Sequence, residues 1–578
     1  MKNYRYKTIA KIIKCSLIVS LLLLTFSCDD GFLDEVPKDR LVPENAFKDT
    51  DGFKAAITHL HRSVREVYIQ KDGPDMFFIF GLGSDFAGFG EGFNRASARM
   101  DYSVINSTDE PSSRWWSHFY GMIKNANVII NRAENSDVEW DTPTRKDEII
   151  AEARFMRAYA YRSLAHLFGG VILIDKELAE VVTDRVRSTK TETYEFAVQD
   201  LIFAAANLPE VAEQDGRVTR AAANHLLSEV YLALEQWENA IDAATAVIDD
   251  PNYELMTSRF GTRASEPGDV YWDLFRTGNQ NTGGGNKENI YSVQLEYQTP
   301  GGGDGTGAKG LHVERAWGAR YHSLKDPNGE SGFELTDLYG RPVGWCTTTP
   351  YLGYDIWDID NDGIYDNDMR NSEYNIHRVD RGQFIYNRPA SAFFGQSVDP
   401  SDVVTDTNVF NLFKTGVNVD PASIEKQAIR FWHPFFMKNT SPNNHPDGVI
   451  NTGRIYRDQY VMRLAETYLL RAEAYLGNGN TSLAAADINV VRARANADPV
   501  DPSDVDINYI LDERARELAM EEQRLLTLHR LGLQYERTKA LNPWGAGTTI
   551  APHNNLWPIP QKDIDLNTGA VIEQNPGY

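Results

Sequence analysis

The sequence predicts a mainly α-helical protein: a scaffold of tetratricopeptide-like helical hairpins that supports a large loop-rich region with short β-strands. Two stretches, residues 219–249 and 458–497, carry apolar residues at steps of three and four, and each is interrupted once by a short turn. Between residues 267 and about 423 that period is lost, and Gly, Asn, Asp and Pro dominate. Because one hairpin cannot bury its own apolar face, we expect several hairpins to stack.

The N-terminus predicts export. Residues 1–27 carry five basic side chains and no acidic one, followed by an apolar run from Leu17 to Leu24 that is too short to span a membrane. The run ends at Cys28, which we expect to carry lipid, so that the protein is anchored without a membrane span. Ordinary signal cleavage just beyond Cys28 is the alternative. Cys15 would be removed with the signal and Cys28 would carry lipid, so Cys346 would be the one cysteine left. A single cysteine excludes an intrachain disulfide framework.

Apolar residues at helical spacing predict the individual helices and hairpins of the scaffold. Helices are expected over residues 49–67, 115–133, 147–168 and 193–207, and again over 508–531. His59 and His61 are expected on the surface of the first helix. In the two hairpins the helix pairs are expected to meet through their apolar positions, which are Ala223, Leu226, Leu227, Val230, Tyr231 and Leu234 with Trp237, Ala240, Ile241, Ala244 and Ile248, and Val461, Leu464, Ala465, Tyr468, Ala472 and Tyr475 with Ala484, Ile488, Val491 and Ala495.

The composition excludes some ligand classes. The 578 residues include 58 Lys and Arg against 82 Asp and Glu, a net charge of −24. Without residues 1–27, the predicted signal, the net charge would be −29. Such an acidic surface argues against nucleic acid and anionic membranes as ligands. Aromatic residues make up 11% of the chain, which is typical of an ordered protein.

Several stretches, taken in order, resemble the SusD/RagB family of outer-membrane nutrient-binding lipoproteins, and the resemblance covers essentially the whole chain. They are Phe32-Leu33-Asp34 and Pro37 after Cys28, Glu152-Ala153-Arg154-Phe155-Met156-Arg157-Ala158-Tyr159 with Leu167-Phe168-Gly169-Gly170-Val171, residues 463–475, Glu513-Arg514-Ala515-Arg516-Glu517-Leu518 with Glu521 and Arg524, and Trp557-Pro558-Ile559-Pro560 with the Gln574–Tyr578 ending. The resemblance implies a signal peptide over 1–27, an N-terminal helical region over 28–265 and a C-terminal region over 266–578. The last is loop-rich over 266–425, helical over 455–535 and ends in an extended segment.

The resemblance also implies a function. Such a protein would sit on the cell surface, lipid-anchored at Cys28, and would pass an oligosaccharide to a SusC-like TonB-dependent transporter of the outer membrane. No covalent chemistry and no cofactor are expected. A glycoside hydrolase on a helical scaffold is one alternative, since the loops hold enough Asp and Glu for a catalytic pair. A peptide-binding or purely structural subunit of the transporter is the other.

Aromatic and polar residues in the two loop regions are the candidate ligand contacts, because sugar rings stack on aromatic faces and their hydroxyls need polar partners. The same rings could instead pack the loops onto the scaffold. The candidates are Asp85, Phe89 and Phe93 in the first region, and Trp272, Trp317, Arg320, Tyr321, Trp345, Tyr351, Tyr354 and Trp357 in the second.

An Asp-rich stretch predicts a Ca²⁺ site. Asp358, Asp360 and Asp362 alternate ahead of Gly363, as at the start of a calcium loop, and Asp366 and Asp368 follow. The Glu expected at the twelfth position is Met369, so the stretch is not a true EF-hand. A solvated acidic turn is the alternative.

Overall fold

A computed structural model describes residues 46–69, 79–90, 101–134, 138–178, 180–299, 310–405, 426–446 and 450–578. The predicted signal peptide, Cys28 and Phe93 lie outside these residues. So does the side chain of Phe89. Within the described ranges, no helix combines the length and the apolar character needed to cross a bilayer.

The N-terminal half is a run of helices in which consecutive members pack against each other. The second helix begins five residues before the predicted start, because Asp109 accepts a hydrogen bond from the amide of Ser112 and Pro111 fits the first turn. In the described part of this half the helices are α1 (Thr50–Ile69), α2 (Glu110–Ala133), α3 (Arg145–Phe168), α4 (Lys190–Asn207), α5 (Arg220–Ala233) and α6 (Trp237–Ile248).

The middle of the chain holds only short elements among the described residues. Its helices are α7 (Val270–Leu274), α8 (Val313–Trp317), α9 (Pro350–Gly353) and α10 (Pro400–Val403). The six strands form three antiparallel pairs, β1 with β3, β2 with β6 and β4 with β5. Their bounds are β1 (Ala87–Phe89), β2 (Asn289–Val293), β3 (Cys346–Thr348), β4 (Ile376–His377), β5 (Phe435–Phe436) and β6 (Gln459–Arg463). A separate aromatic-rich core, including Tyr321, Phe384 and Trp432, holds this region together.

The C-terminal part returns to helices, which are α11 (Leu464–Gly477), α12 (Thr481–Arg494), α13 (Ile507–Leu518), α14 (Arg524–Leu531), α15 (Gln534–Leu541), α16 (Gly545–Thr549) and α17 (Gln561–Leu566). Helix α11 packs on α5, α6 and α12. The two predicted hairpins therefore stack directly on each other, although more than two hundred residues separate them in sequence. The predicted mainly helical fold is confirmed, and the main hydrophobic core contains residues of both the N-terminal and the C-terminal helices.

Two details differ from the sequence prediction. Val461 does not belong to a helix, because residues 459–463 form β6 and pair with β2 before α11 begins. The predicted helix over 508–531 is two helices, α13 and α14. They are separated at Met520, whose φ of 62° is incompatible with a continuing right-handed helix.

Candidate functional site

A cleft of about 1140 Å³ lies where α1 and α2 meet β2 and the segment before β6. Its size suits an oligosaccharide or a short peptide. Helices α1 and α2 form one wall of the cleft, and β2 with the segment that leads into β6 forms the other. Most of the residues that line the cleft are polar, and they include Thr58, His61, Arg65, Arg114, His118, Asp215, Arg217, Asn281, Tyr291, Gln294, Tyr456 and Asp458.

Two amides and one carboxylate form a polar floor in this cleft. Asn281 donates to Gln294 Oε1 at 2.9 Å and to Asp458 Oδ2 at 2.9 Å, while Gln294 donates back to Asn281 Oδ1 at 3.1 Å. The other Asp458 oxygen accepts from the Leu295 amide at 2.7 Å. Burial raises the pKa of Asp458 to about 6, although hydrogen bonds from Leu295 and Asn281 oppose that rise. This floor can donate to and accept from the hydroxyl groups of a sugar.

His61 fixes the opposite wall. Its Nδ1 lies 3.0 Å from Tyr291 Oη and its Nε2 lies 3.0 Å from Glu152 Oε2, while Arg217 donates to the other Glu152 oxygen at 2.6 Å. Burial lowers the pKa of His61, and the neighbouring Glu152 only partly offsets this effect. The prediction that His61 lies on the surface is therefore wrong, because only 12% of its side chain is exposed. His59 is exposed, as predicted.

Aromatic and basic residues gather at the end of the cleft formed by Ile69 and Tyr456. The rings of Tyr297 and Tyr456 meet edge to face, with centroids 4.9 Å apart. The Ile69 carbonyl accepts from the His312 amide at 3.3 Å, which connects this end of the cleft to α8. In α8, three residues after His312, the Arg315 guanidinium lies 5.1 Å from the ring centre of Trp345.

Seven of the eleven candidate ligand contacts lie in the interior instead. Each is at most 6% exposed, so none offers an open ring face or a free carboxylate to a ligand, and the structure does not support a stacking platform built from them. The seven are Asp85, Trp272, Trp317, Tyr321, Tyr351, Tyr354 and Trp357. Arg320 and Trp345 are partly exposed and remain candidates.

Their contacts explain the burial. The Asp85 carboxylate accepts from Arg524 at 2.6 Å and from Arg537 at 3.2 Å, and so joins the loop before β1 to α14 and α15. Trp272 lies under the Arg276 and Arg263 guanidinium groups, at 4.2 Å and 4.9 Å from its ring centre. These rings and charges fasten the loops to the helices, which was the alternative reading of the sequence.

The Asp-rich loop brings together three of its five carboxylates. One oxygen from each of Asp358, Asp360 and Asp362 lies within 4.8 Å of the others. Gly363, with φ of 86°, allows the sharp turn, and its amide donates to Asp358 at 3.0 Å. Asp366 instead closes the base of the loop by accepting from the Ile359 amide at 2.9 Å.

Asp368 does not join this cluster, so its assignment as a ligand is corrected. Its carboxylate is nearly buried and accepts from the Arg370 guanidinium at 2.6 Å. Arg370 in turn reaches Glu513 at 2.7 Å. The three remaining carboxylates suit a hard cation but provide only part of the six to eight oxygens that Ca²⁺ takes.

The groups that line the cleft were not among the residues predicted from the sequence. Asn281, Gln294 and Asp458 are short or medium polar residues without a motif, and His61 was assigned to the surface. One signal was available: Ser292 and Gln294 alternate with Tyr291, Val293 and Leu295, so one face of the strand is polar. That pattern does not identify the cleft, because the lining includes Tyr291, Val293 and Leu295 as well as Gln294.

Comparisons with known proteins agree with the architecture. The family model described as "SusD family" matches residues 415–578, and the model described as "Starch-binding associating with outer membrane" matches residues 32–232. A SusD-like protein of Bacteroides ovatus is 25% identical over 545 residues, which cover 88% of this chain and 80% of the relative. The starch-binding protein SusD of Bacteroides thetaiotaomicron is 38% identical over 142 residues, which cover 24% of this chain and 25% of that protein.

A solved structure described as a laminarin-binding SusD-like protein superposes with a TM-score of 0.65 at 24% identity. The alignment covers 92% of this chain and all of the other. This structural similarity shows a shared fold and does not identify a ligand. With both family models matched in the expected order along the sequence, the chain belongs to the SusD/RagB family.

Proposed function

We propose that this protein captures an oligosaccharide at the cell surface and passes it, unchanged, to a SusC-like TonB-dependent transporter of the outer membrane. The observation that carries the proposal is the cleft between α1, α2 and β2, with amide and carboxylate groups on its floor and the Tyr297 and Tyr456 rings beside it. Relatives named for binding starch and laminarin support a glycan as the ligand. Acylation at Cys28 would hold the protein at the membrane surface.

The protein is a binding protein and not an enzyme, in keeping with the names of those relatives. One observation favours the rival, a glycoside hydrolase: the pKa of Asp458 is raised to about 6, as in a general acid, and the charge of Asp215 contributes to the rise. However, both Asp458 oxygens already accept hydrogen bonds, from Leu295 and Asn281, which suits a fixed acceptor better than a proton donor.

Calorimetry with a panel of oligosaccharides tests binding, and an assay for new reducing ends tests the rival. We expect saturable binding without new reducing ends. Asn281→Ala and Gln294→Ala should each weaken binding and leave the melting temperature unchanged, because both side chains are partly exposed and act on the ligand. Asn239→Ala, on the exposed face of α6, is the matched control and should bind like the parent protein.

Binding of peptides, with no response to any glycan, would favour the peptide-binding alternative. Release of reducing ends that is abolished by Asp458→Asn would establish the hydrolase instead.

We also propose that Asp358, Asp360 and Asp362 hold a Ca²⁺ ion that stiffens their loop. Their converging carboxylates support this proposal. Calorimetric titration with CaCl₂ should give heat that is lost in Asp360→Asn. An absence of heat at millimolar Ca²⁺ would leave a solvated acidic turn.

A further inference from the structure

Five arginines gather beside the aromatic end of the cleft in a protein that is otherwise strongly acidic. We call this group the arginine face; it consists of Arg315, Arg320, Arg341, Arg430 and Arg454, all partly exposed. The segments that carry these residues are in contact. The Arg430 carbonyl accepts from the Arg320 amide at 2.8 Å, and the Arg315 side chain and the Arg341 backbone both lie against Gly453.

Two arginines of this face lie beside a buried histidine. The charge of Arg315 and, above all, burial lower the pKa of Arg454 to about 10. His312 is 2% exposed, and neither of its ring nitrogens has a hydrogen-bond partner. Burial and then the charges of Arg454 and Arg315 lower the pKa of His312 to about 2, so the ring is neutral at pH 7. The unsatisfied N–H group of this buried ring costs free energy.

His322 is a second histidine beside two arginines of this face. Burial, followed by the charges of Arg320 and Arg341, lowers the pKa of that ring to about 4. The His322 Nδ1 atom and the Arg320 Nε atom are both buried without a hydrogen-bond partner. Both histidines are therefore neutral at pH 7, and neither supplies a negative charge to the arginines beside it.

Three arginines that are buried elsewhere in the protein have carboxylate partners. Arg463, Arg494 and Arg524 each donate to two carboxylates or more. By contrast, Arg320, Arg341 and Arg454 form no ion pair with any residue of the described ranges, although acidic residues outnumber basic ones in the chain. The nearest buried carboxylate, Glu314, accepts from the Arg341 amide but is already paired with His445 at 2.6 Å.

The arginine face adjoins the cleft. Arg454 lies two residues before Tyr456, which lines the cleft, and donates to the Gly310 carbonyl at 3.4 Å. Trp345 lies under Arg315 with part of its ring exposed. A sugar ring against Trp345 would therefore bring its substituents close to the Arg315 guanidinium and to the segments that carry the other arginines of the face.

We propose that the ligand is an anionic glycan, whose carboxylate or sulfate groups bind the arginine face while its neutral sugar units extend into the cleft. This inference rests on the proposed function and narrows its substrate class. Guanidinium groups suit both substituents, because their paired N–H donors match two oxygens of a carboxylate or a sulfate. A carboxylate comes from a uronic acid and a sulfate from an ester, and the test separates these two sources.

The test compares each charged glycan with a neutral form of the same backbone. Calorimetry uses polygalacturonate against its methyl ester, and a carrageenan against its desulfated form. We expect a charged form to bind at least about tenfold more tightly than its neutral form, and to weaken as NaCl rises from about 0.05 M to about 0.5 M. The pair with the larger difference identifies the substituent.

Arg454→Gln and Arg341→Gln should each weaken binding of the charged form and leave binding of the neutral form unchanged. Arg185→Gln, at a partly exposed arginine outside the cleft lining, is the control and should change neither. Melting curves establish that all three variants fold, so that lost binding is not lost structure.

Equal binding of charged and neutral glycans, unaffected by Arg454→Gln, would overturn this inference and leave glycan capture intact. A lack of binding to every glycan would overturn the proposed function, and this inference with it. If Arg454→Gln left glycan affinity unchanged but weakened binding to the purified transporter, the arginine face would be a protein-docking surface and the inference would be wrong.

Discussion

Arg463 and Glu517 form an ion pair with no exposure to solvent, in which Arg463 Nη1 lies 2.7 Å from Glu517 Oε1. The arginine stands at the junction of β6 and α11, and the glutamate in the last turn of α13. Arg463 also donates to Glu288 at 2.9 Å and to Glu521 at 3.0 Å, and Arg494 of α12 donates to Glu517 as well. One buried network therefore holds the C-terminal hairpin, α13 and the start of β2 in register.

Glu517→Gln should destabilise the fold by about 3–5 kcal/mol, because it leaves buried guanidinium groups without their counter-charge. Chemical denaturation followed by circular dichroism measures the change. Glu110→Gln, which removes one partner of an exposed pair with Arg114, should change stability by less than about 1 kcal/mol. Similar losses in the two variants would show that the buried network contributes no more than a surface pair.

The network also predicts sensitivity to acid. Burial alone would raise the pKa of Glu513, but the charges of Arg370, Arg516 and Arg492 outweigh it and lower the pKa from 4.5 to about 2. The stabilisation is therefore complete above about pH 4.5 and is lost as the pH falls toward 2. Melting temperatures across this range measure the effect. Glu513→Gln should be less stable at neutral pH and should lose less on acidification, whereas Glu238→Gln, on an exposed turn of α6, should follow the parent profile.

An opposite dependence is expected at alkaline pH from His445. Burial opposes its protonation, but the hydrogen bond and charge of Glu314 and the contact with Asp337 raise its pKa from 6.5 to about 9. Its stabilisation is complete below about pH 6.5 and is lost as the pH rises through 9. His445→Gln should flatten the fall in melting temperature between those values. A parent protein with constant melting temperature over that range would contradict this assignment.

Ligand binding should depend on Asp458. With a pKa of about 6, this carboxylate is charged at pH 7.5 and protonated at pH 5, where it accepts hydrogen bonds less strongly. We therefore expect glycan affinity to fall between pH 7.5 and pH 5, measured by calorimetry. Asp458→Asn should bind weakly at both values, and an unchanged pH profile in that variant would place the titrating group elsewhere.

Two tryptophans distinguish core packing from ligand contact. Trp317 has no exposed surface, so Trp317→Ala should cost about 3–5 kcal/mol of stability. Trp345 is partly exposed beside the cleft, so Trp345→Ala should lower glycan affinity and have a smaller effect on stability. Denaturation and calorimetry on both variants provide the comparison. If Trp345→Ala lost stability and binding together, as a core residue would, Trp345 would not be a direct contact.

The helical scaffold was predictable because its signal is local. Tyr231 and Tyr468 lie on apolar stripes with a helical period, and both belong to the stacked helices that the period predicts. The misplacement of Val461 has a physical reason: β6 runs into α11 without Gly or Pro between them. The break at Met520 depends on a positive φ, which hydrophobic periodicity does not record.

The site could be predicted only in part, because its geometry depends on contacts between distant residues. Asp85 has the composition of a ligand-binding residue, yet its partners Arg524 and Arg537 lie more than 430 residues away and make it structural. Aromatic content identifies a region rich in Trp and Tyr, but it cannot separate the buried Trp317 from the partly exposed Trp345. The polar floor at Asn281 and Asp458 depends on the β2–β6 pairing, which no local pattern records.

The most direct test of glycan capture is calorimetry of the purified protein against neutral and anionic oligosaccharides, alongside Asn281→Ala. We predict saturable binding to at least one oligosaccharide, and weaker binding by the variant at an unchanged melting temperature. No binding to any oligosaccharide, or binding that the cleft substitution leaves intact, would contradict the assignment of this cleft as the capture site.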